Sequence, residues 1–151
     1  MKIYIASDHR GYDSEIEITK YLKENGLEVV NVDTKHFDTD DYPDFAFKLC
    51  NKVIEDKQSL GILICGTGIG MSIAANKVKG IRAARCITKN DAFYAKNHNN
   101  ANVICLAVDE DVNNMFHIID TFINTKSADT ERHLNRVNKI INYEQGSYNE
   151  L

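Results

Sequence analysis

The sequence predicts an α/β fold: a single-domain, Rossmann-like three-layer sandwich, with a five-stranded parallel sheet covered by helices on both faces. Three observations predict it. Short apolar runs alternate with helical patterns along the whole chain, which is how successive βαβ units read. One such run, Ile62-Leu63-Ile64-Cys65, passes through Gly66-Thr67-Gly68-Ile69-Gly70 straight into a helical pattern at Ser72. That is a strand-to-helix turn of the kind that lies at the carboxyl end of a parallel sheet, where ligands bind. The chain has 151 residues, 43% hydrophobic and 26% charged, without repeat, low-complexity segment or linker, so one domain with a proper core is expected.

The first strand runs from Lys2 to Ala6 and is broken by Ser7-Asp8-His9-Arg10-Gly11. Ile16, Ile18, Tyr21 and Leu22 then give a helical spacing that stops at Asn25-Gly26, a helix-ending pair. Leu27 to Val32 is the second strand, and the polar stretch from Asp33 to Asp41 is a loop. Pro43, the sole proline, suits the first turn of a helix whose inner face is Phe45, Ala46, Leu49, Cys50, Val53 and Ile54. Gly61 to Ile64 is the third strand, and the helix after the glycine turn extends to about Val78. Ile81 to Ile87 is the fourth strand, Thr88 to Asn97 a helix, and Asn102 to Val108 the fifth strand. Val112 to Ile123 is helical, anchored by Met115, Phe116, Ile119 and Phe122, and a last helix runs from about Thr130 to Tyr143.

A net charge of −4 gives no reason to expect nucleic acid or an anionic membrane as partner. No apolar run approaches the roughly 20 residues of a membrane span, and the start lacks the apolar core of a signal peptide. A cytoplasmic location is expected. Cys50, Cys65, Cys86 and Cys105 are widely spaced and form no CxxC pair, so disulfide and zinc readings are weak. Cys50, Cys86 and Cys105 lie inside predicted elements and are expected to be small buried hydrophobes.

Five features can carry chemistry. The glycine turn lacks the third glycine of GxGxxG, because Met71 stands there, and no Gly-Lys-Ser/Thr follows. Dinucleotide and P-loop readings therefore fail. It is either an exposed set of N–H groups for an oxyanion or phosphate, or a tight turn that needs glycine for packing. Cys65, next to a helix start, is either an activated thiol serving as base or nucleophile or one more buried cysteine. Asp8-His9 ends the first strand, which in doubly wound sheets often neighbours the third, so the two ends can share a crevice. His98 has the chemistry for proton transfer near neutral pH, within a polar stretch that also reads as plain loop. Arg132 and Arg136, at i and i+4, share a helix face separate from Leu134, Val137, Ile140 and Ile141, which makes either a phosphate clamp or a solvated basic face.

Together these residues resemble the ribose-5-phosphate isomerase B family, which includes the galactose-6-phosphate isomerase subunits. The likeness rests on Ser-Asp-His-Arg-Gly at 7–11, Asp-Tyr-Pro-Asp at 41–44, Ile-Cys-Gly-Thr-Gly-Ile-Gly-Met-Ser-Ile-Ala-Ala-Asn-Lys at 64–77, Gly-Ile-Arg-Ala at 80–83, His-Asn at 98–99, Asn-Val at 102–103 and Arg-His-x-x-Arg at 132–136. It implies aldose–ketose isomerisation of a sugar phosphate without metal or cofactor. Mapped onto this chain, Cys65 would move a proton between C1 and C2 through an enediolate and Thr67 would help position that intermediate. The N–H groups of the 66–70 loop (Gly66, Gly68, Ile69 and Gly70) would hold the oxyanion. His98 would assist ring opening, Asp8 would meet a sugar hydroxyl, and Tyr42 and Asn99 would line the pocket. His9, Arg132 and Arg136 would hold the phosphate. The resemblance also implies a homodimer or homotetramer with shared sites, the last helix reaching a neighbouring subunit.

One departure bears on the substrate. Many ribose-phosphate members carry an arginine just after the fifth strand, whereas here the segment reads Ala107-Val108-Asp109-Glu110-Asp111. Ribose 5-phosphate to ribulose 5-phosphate is the expected reaction; a hexose 6-phosphate of the galactose or allose type, or a non-catalytic phosphosugar-binding subunit, is the alternative. A flavodoxin-like nucleotide binder has only the generic fold in its favour.

Overall fold

The computed structural model describes residues 1–35, 37–108 and 111–149. Eleven elements follow one another: β1 (Lys2–Ser7), α1 (Tyr12–Glu24), β2 (Glu28–Asn31), α2 (Tyr42–Glu55), β3 (Leu60–Cys65), α3 (Ile69–Ala75), β4 (Ala83–Arg85), α4 (Lys89–Asn99), β5 (Val103–Ala107), α5 (Val112–Asn124) and α6 (Glu131–Glu144). The five strands form one parallel sheet in the order β2-β1-β3-β5-β4. The Rossmann-like sandwich expected from the alternation of elements is what the chain builds.

β3 and β5 are buried along their whole length. Their side chains alternate between two cores, which is why they read as unbroken apolar runs. Ile3, Ile5, Ile62, Ile64, Ile104 and Leu106 pack against α1, α4 and α5. Tyr4, Ala6, Leu63, Cys65, Val103 and Cys105 pack against α2 and α3. The cysteines at 50, 86 and 105 are buried and free, as expected. Burial pushes the thiols of Cys50 and Cys86 up to about 12, and that of Cys105 well above its ordinary value.

Three local expectations are corrected. The fourth strand is only Ala83–Arg85, not Ile81 to Ile87. Ile81 turns into the α2–α3 core, and Arg82 is held by the carbonyls of Asn99 and Asn100, so pairing begins later. At the other end, the N–H of Ile87 is taken by the Asp91 carboxylate, which belongs to the capping box of α4. α3 stops at Ala75 rather than Val78, because Asn76 spends its amide on the N–H and carbonyl of Ala83 along the outer edge of β4. On α1, Ile16 is half exposed, and the inward position belongs to Glu15, which is 2% exposed. Its carboxylate accepts from Ser7 Oγ (2.5 Å) and Asn31 Nδ2 (2.7 Å), so a polar network occupies what periodicity assigns to an apolar side chain.

Candidate functional site

The crevice at the carboxyl ends of β1 and β3 is set by strand register. Ser7 pairs with Ile64, and the N–H of Asp8 donates to the Ile64 carbonyl at 3.2 Å, so Asp8 emerges beside Cys65. Helices α1 and α2 leave the sheet on opposite faces here, and the strand order reverses between β1 and β3. This is the topological switch point at which open α/β sheets bind ligands.

Asp8 is nearly buried, and its Oδ1 accepts the N–H groups of Arg10 (3.0 Å) and Gly11 (3.2 Å). Burial raises its carboxyl above the ordinary range, and those two N–H groups hold the rise back. His9 is held by Asp40, in the loop that precedes α2. Its ring Nδ1 lies 2.7 Å from Asp40 Oδ1, and its backbone N–H donates to the same oxygen at 2.9 Å. The Asp40 contact raises the imidazole above its ordinary value and favours the imidazolium.

Cys65 ends β3 and is 5% exposed, and the N–H of Gly68 donates to its Sγ at 3.2 Å. That bond requires the sharp turn made by Gly68 at φ 72°, a left-handed conformation that favours glycine. Thr67 is exposed at the apex. Its Oγ1 accepts from the N–H of Ile69 (3.2 Å), and its carbonyl accepts from Arg85 Nε (2.6 Å). The ring of Tyr42, first residue of α2, lies over Gly70, where a Cβ would come within 2.7 Å of it. Arg10 lies over Gly66 in the same manner, its guanidinium 2.9–3.3 Å from where a Cβ would stand. Asp8, His9, Tyr42, Cys65, Thr67 and the loop Gly66, Gly68, Ile69, Gly70 are thus brought together.

The remaining expected residues are not brought to them. α4 starts at the carboxyl end of the sheet and runs back toward the amino end, so His98 and Asn99, at its far end, stand about 16 Å along the helix axis from its start. The 125–130 segment docks there, through Ala128 N–H on the Asn97 carbonyl (2.7 Å), and launches α6 from the same end. His98 is stacked on His133 (ring centroids 4.0 Å apart, 14° between planes) and meets Tyr94 at a tilt (4.8 Å, 45°). Burial, with the charges of His98, Arg132 and Arg136, lowers the His133 pKa below its ordinary value. Arg132 and Arg136 are exposed on α6, along a shallow hollow with Asn135, Asn138, Lys139 and Asn142. A larger hollow, about 810 Å³, lies between α6 and the start of β4, and of the expected site residues only Asn99 lines it.

The sequence reading missed Arg10, Asp40, Arg85 and His133. Only tertiary contacts single them out: Arg10 and His133 sit inside quoted motifs without a role, and Asp40 and Arg85 lie in no motif. Asp109 lies outside the described residues; its neighbour Asp111 caps α5 by accepting the N–H of Asn113. Among the described residues no group of histidine, cysteine and carboxylate side chains is placed to hold a metal ion, and no helix is long and apolar enough to cross a membrane.

A family model described as Ribose/Galactose Isomerase matches residues 3–140. The probable ribose-5-phosphate isomerase B of Mycoplasma genitalium is 44% identical over 148 residues, covering 95% of each chain. The crystal structure of ribose-5-phosphate isomerase B from the same organism, with bound ribulose-5-phosphate, superposes with a TM-score of 0.90 at 41% identity, over 95% of this chain and 96% of that one. The Clostridium thermocellum ribose-5-phosphate isomerase B superposes at 0.91 and 41%, over 97% and 99%. Sequence and fold agree over nearly the full length of both proteins in each comparison, and the chain belongs to the Ribose/Galactose Isomerase family of sugar-phosphate isomerases.

Proposed function

We propose that the chain interconverts ribose 5-phosphate and ribulose 5-phosphate in the cytoplasm, with Cys65 as the base. The observation that carries this reading is the position of the thiol: at the end of the central strand, facing the glycine turn and next to Asp8 at the switch point. The thiolate of Cys65 takes the proton from C2 of the open-chain aldose. The electron pair moves to O1, and an enediolate forms against the N–H groups of the 66–70 loop, with Thr67 positioning it. The proton returns from Cys65 to C1, the O2 proton passes to O1, and C2 becomes the carbonyl. Asp8 holds a sugar hydroxyl and Tyr42 lines the pocket. His9, whose pKa the Asp40 contact raises, meets the phosphate.

His98, Asn99, Arg132 and Arg136 serve this reaction in a site shared between two copies. Their place at the opposite end of the sheet supports that arrangement, because a chain cannot bring its own α4 terminus to its own Cys65. A homodimer is the smallest assembly that supplies both halves, and each His98 then assists ring opening in the partner's crevice.

Purified protein should convert ribulose 5-phosphate to ribose 5-phosphate without added metal, and Cys65→Ala should lower kcat by about 10²–10⁴-fold, the ordinary worth of a positioned base. Full rate in Cys65→Ala would sink the mechanism. Turnover of galactose 6-phosphate or allose 6-phosphate, with none of either pentose phosphate, would replace the substrate.

A further inference from the structure

We infer that Arg10 is a further substrate-binding residue of this site, a cation that meets the negative charge developing on the enediolate. The inference rests on the reading that Cys65 performs an isomerisation, and it assigns to Arg10 a role that the motifs do not.

Arg10 is fixed at its backbone: its N–H donates to Asp8 Oδ1 at 3.0 Å, inside the turn that joins β1 to α1. From there its side chain lies across the glycine turn. Nη1, Cζ and Nε come within 2.9, 3.1 and 3.3 Å of the point where a Cβ on residue 66 would stand. The guanidinium therefore fills the side-chain space that Gly66 leaves empty, one residue from the reacting thiol, and Gly66 itself is buried. A solvated surface arginine extends into water or pairs with a carboxylate. Arg10 is exposed to solvent, yet its guanidinium rests on the backbone of the turn, and among the described residues no carboxylate lies within 4 Å of its charged nitrogens. A guanidinium carries five N–H donors in a fixed plane, so its placement is preorganised for an oxyanion. The Asp8 carboxylate, the nearest acid in sequence, spends Oδ1 on the turn's own N–H groups. The chain has no Lys or Arg between residues 96 and 126, so the end of β5, on the other side of β3, contributes no such cation to the crevice.

A charge that matters to the enediolate acts on the transition state more than on the bound sugar. Arg10→Ala should lower kcat by about 10–10³-fold, the range for losing one preorganised donor, with a much smaller change in KM. Arg10→Lys should recover part of the loss. Calorimetry reads the same contact without turnover. A hydroxamate mimic of the enediolate should bind Arg10→Ala at least tenfold more weakly than wild type, while inorganic phosphate binds both alike. Unchanged kcat and hydroxamate affinity in Arg10→Ala overturn the proposal. So does an equal loss of affinity for phosphate and hydroxamate, which would make Arg10 a phosphate ligand. If wild type acts on a hexose 6-phosphate instead of a pentose phosphate, the substrate named above fails, and the Arg10 comparison is read on that hexose.

Discussion

At the scale of single residues, the crevice is a set of charges whose signs are fixed by neighbours a few ångströms away. Asp40 raises His9, and burial raises Asp8. The His9 shift has a definite pH consequence. Its folded value lies above its unfolded one, so the contact with Asp40 stabilises the fold fully below the ordinary histidine range and is lost as pH rises through the raised value. If His9 meets the phosphate, the cation it offers disappears in the same window. In Asp40→Asn, the pH at which KM begins to climb should move down toward the ordinary histidine value; an unmoved KM profile would show that His9 does not hold the phosphate. These residues were legible in the sequence only as chemistry. Asp8-His9 and Cys65-Gly66 are typed for a site, but that Arg10 rests on Gly66 and Arg85 on the Thr67 carbonyl depends on side-chain paths that no spacing rule encodes.

Among the elements, legibility followed burial. Ile62-Leu63-Ile64 and Val103 to Ala107 read as strands because both their faces meet a core. The three-residue β4 was overextended in the reading because Ile81 and Cys86 are buried like strand residues while their neighbours are held by Asn99, Asn100 and Asp91. The anchors of α5 were read correctly for Met115, Ile119 and Phe122, which are fully buried against the sheet. Phe122→Ala should therefore destabilise the protein by about 3–5 kcal/mol, measured by urea unfolding, as for large-to-small changes in a packed core. A loss below about 1 kcal/mol would mean that the α5 face is not a core at all. α6 shows the opposite case. Its apolar spacing is plain in the sequence, yet Leu134 and Ile140 remain 47% and 44% exposed, and only Val137 is buried. The periodicity reveals an apolar face but not what covers it.

For the whole molecule, the alternation of strands and helices decides where chemistry can meet. Every crossover helix returns to the amino end, so a residue at the close of α4 is held apart from one at the close of β3. That much was implicit in the order of elements. Under the shared-site reading, Arg136→Ala mixed with Cys65→Ala should regain activity through hybrid dimers, in which one of the two sites is intact. No recovery after mixing, with mixed dimers demonstrated by mass, would count against a shared site.

The placement of His98 and Arg136 opposite Cys65 also bears on how assembly stops. Under the shared-site reading, each copy offers one half-site at the amino end and needs its counterpart at the carboxyl end. Two copies related by a two-fold axis would then satisfy each other completely and leave nothing open. A head-to-tail chain would instead carry an unfilled half at each terminus. Growth into filaments thus gains no further complete site per added copy over simple closure, and the arrangement that finishes the chemistry is also the one that ends the assembly.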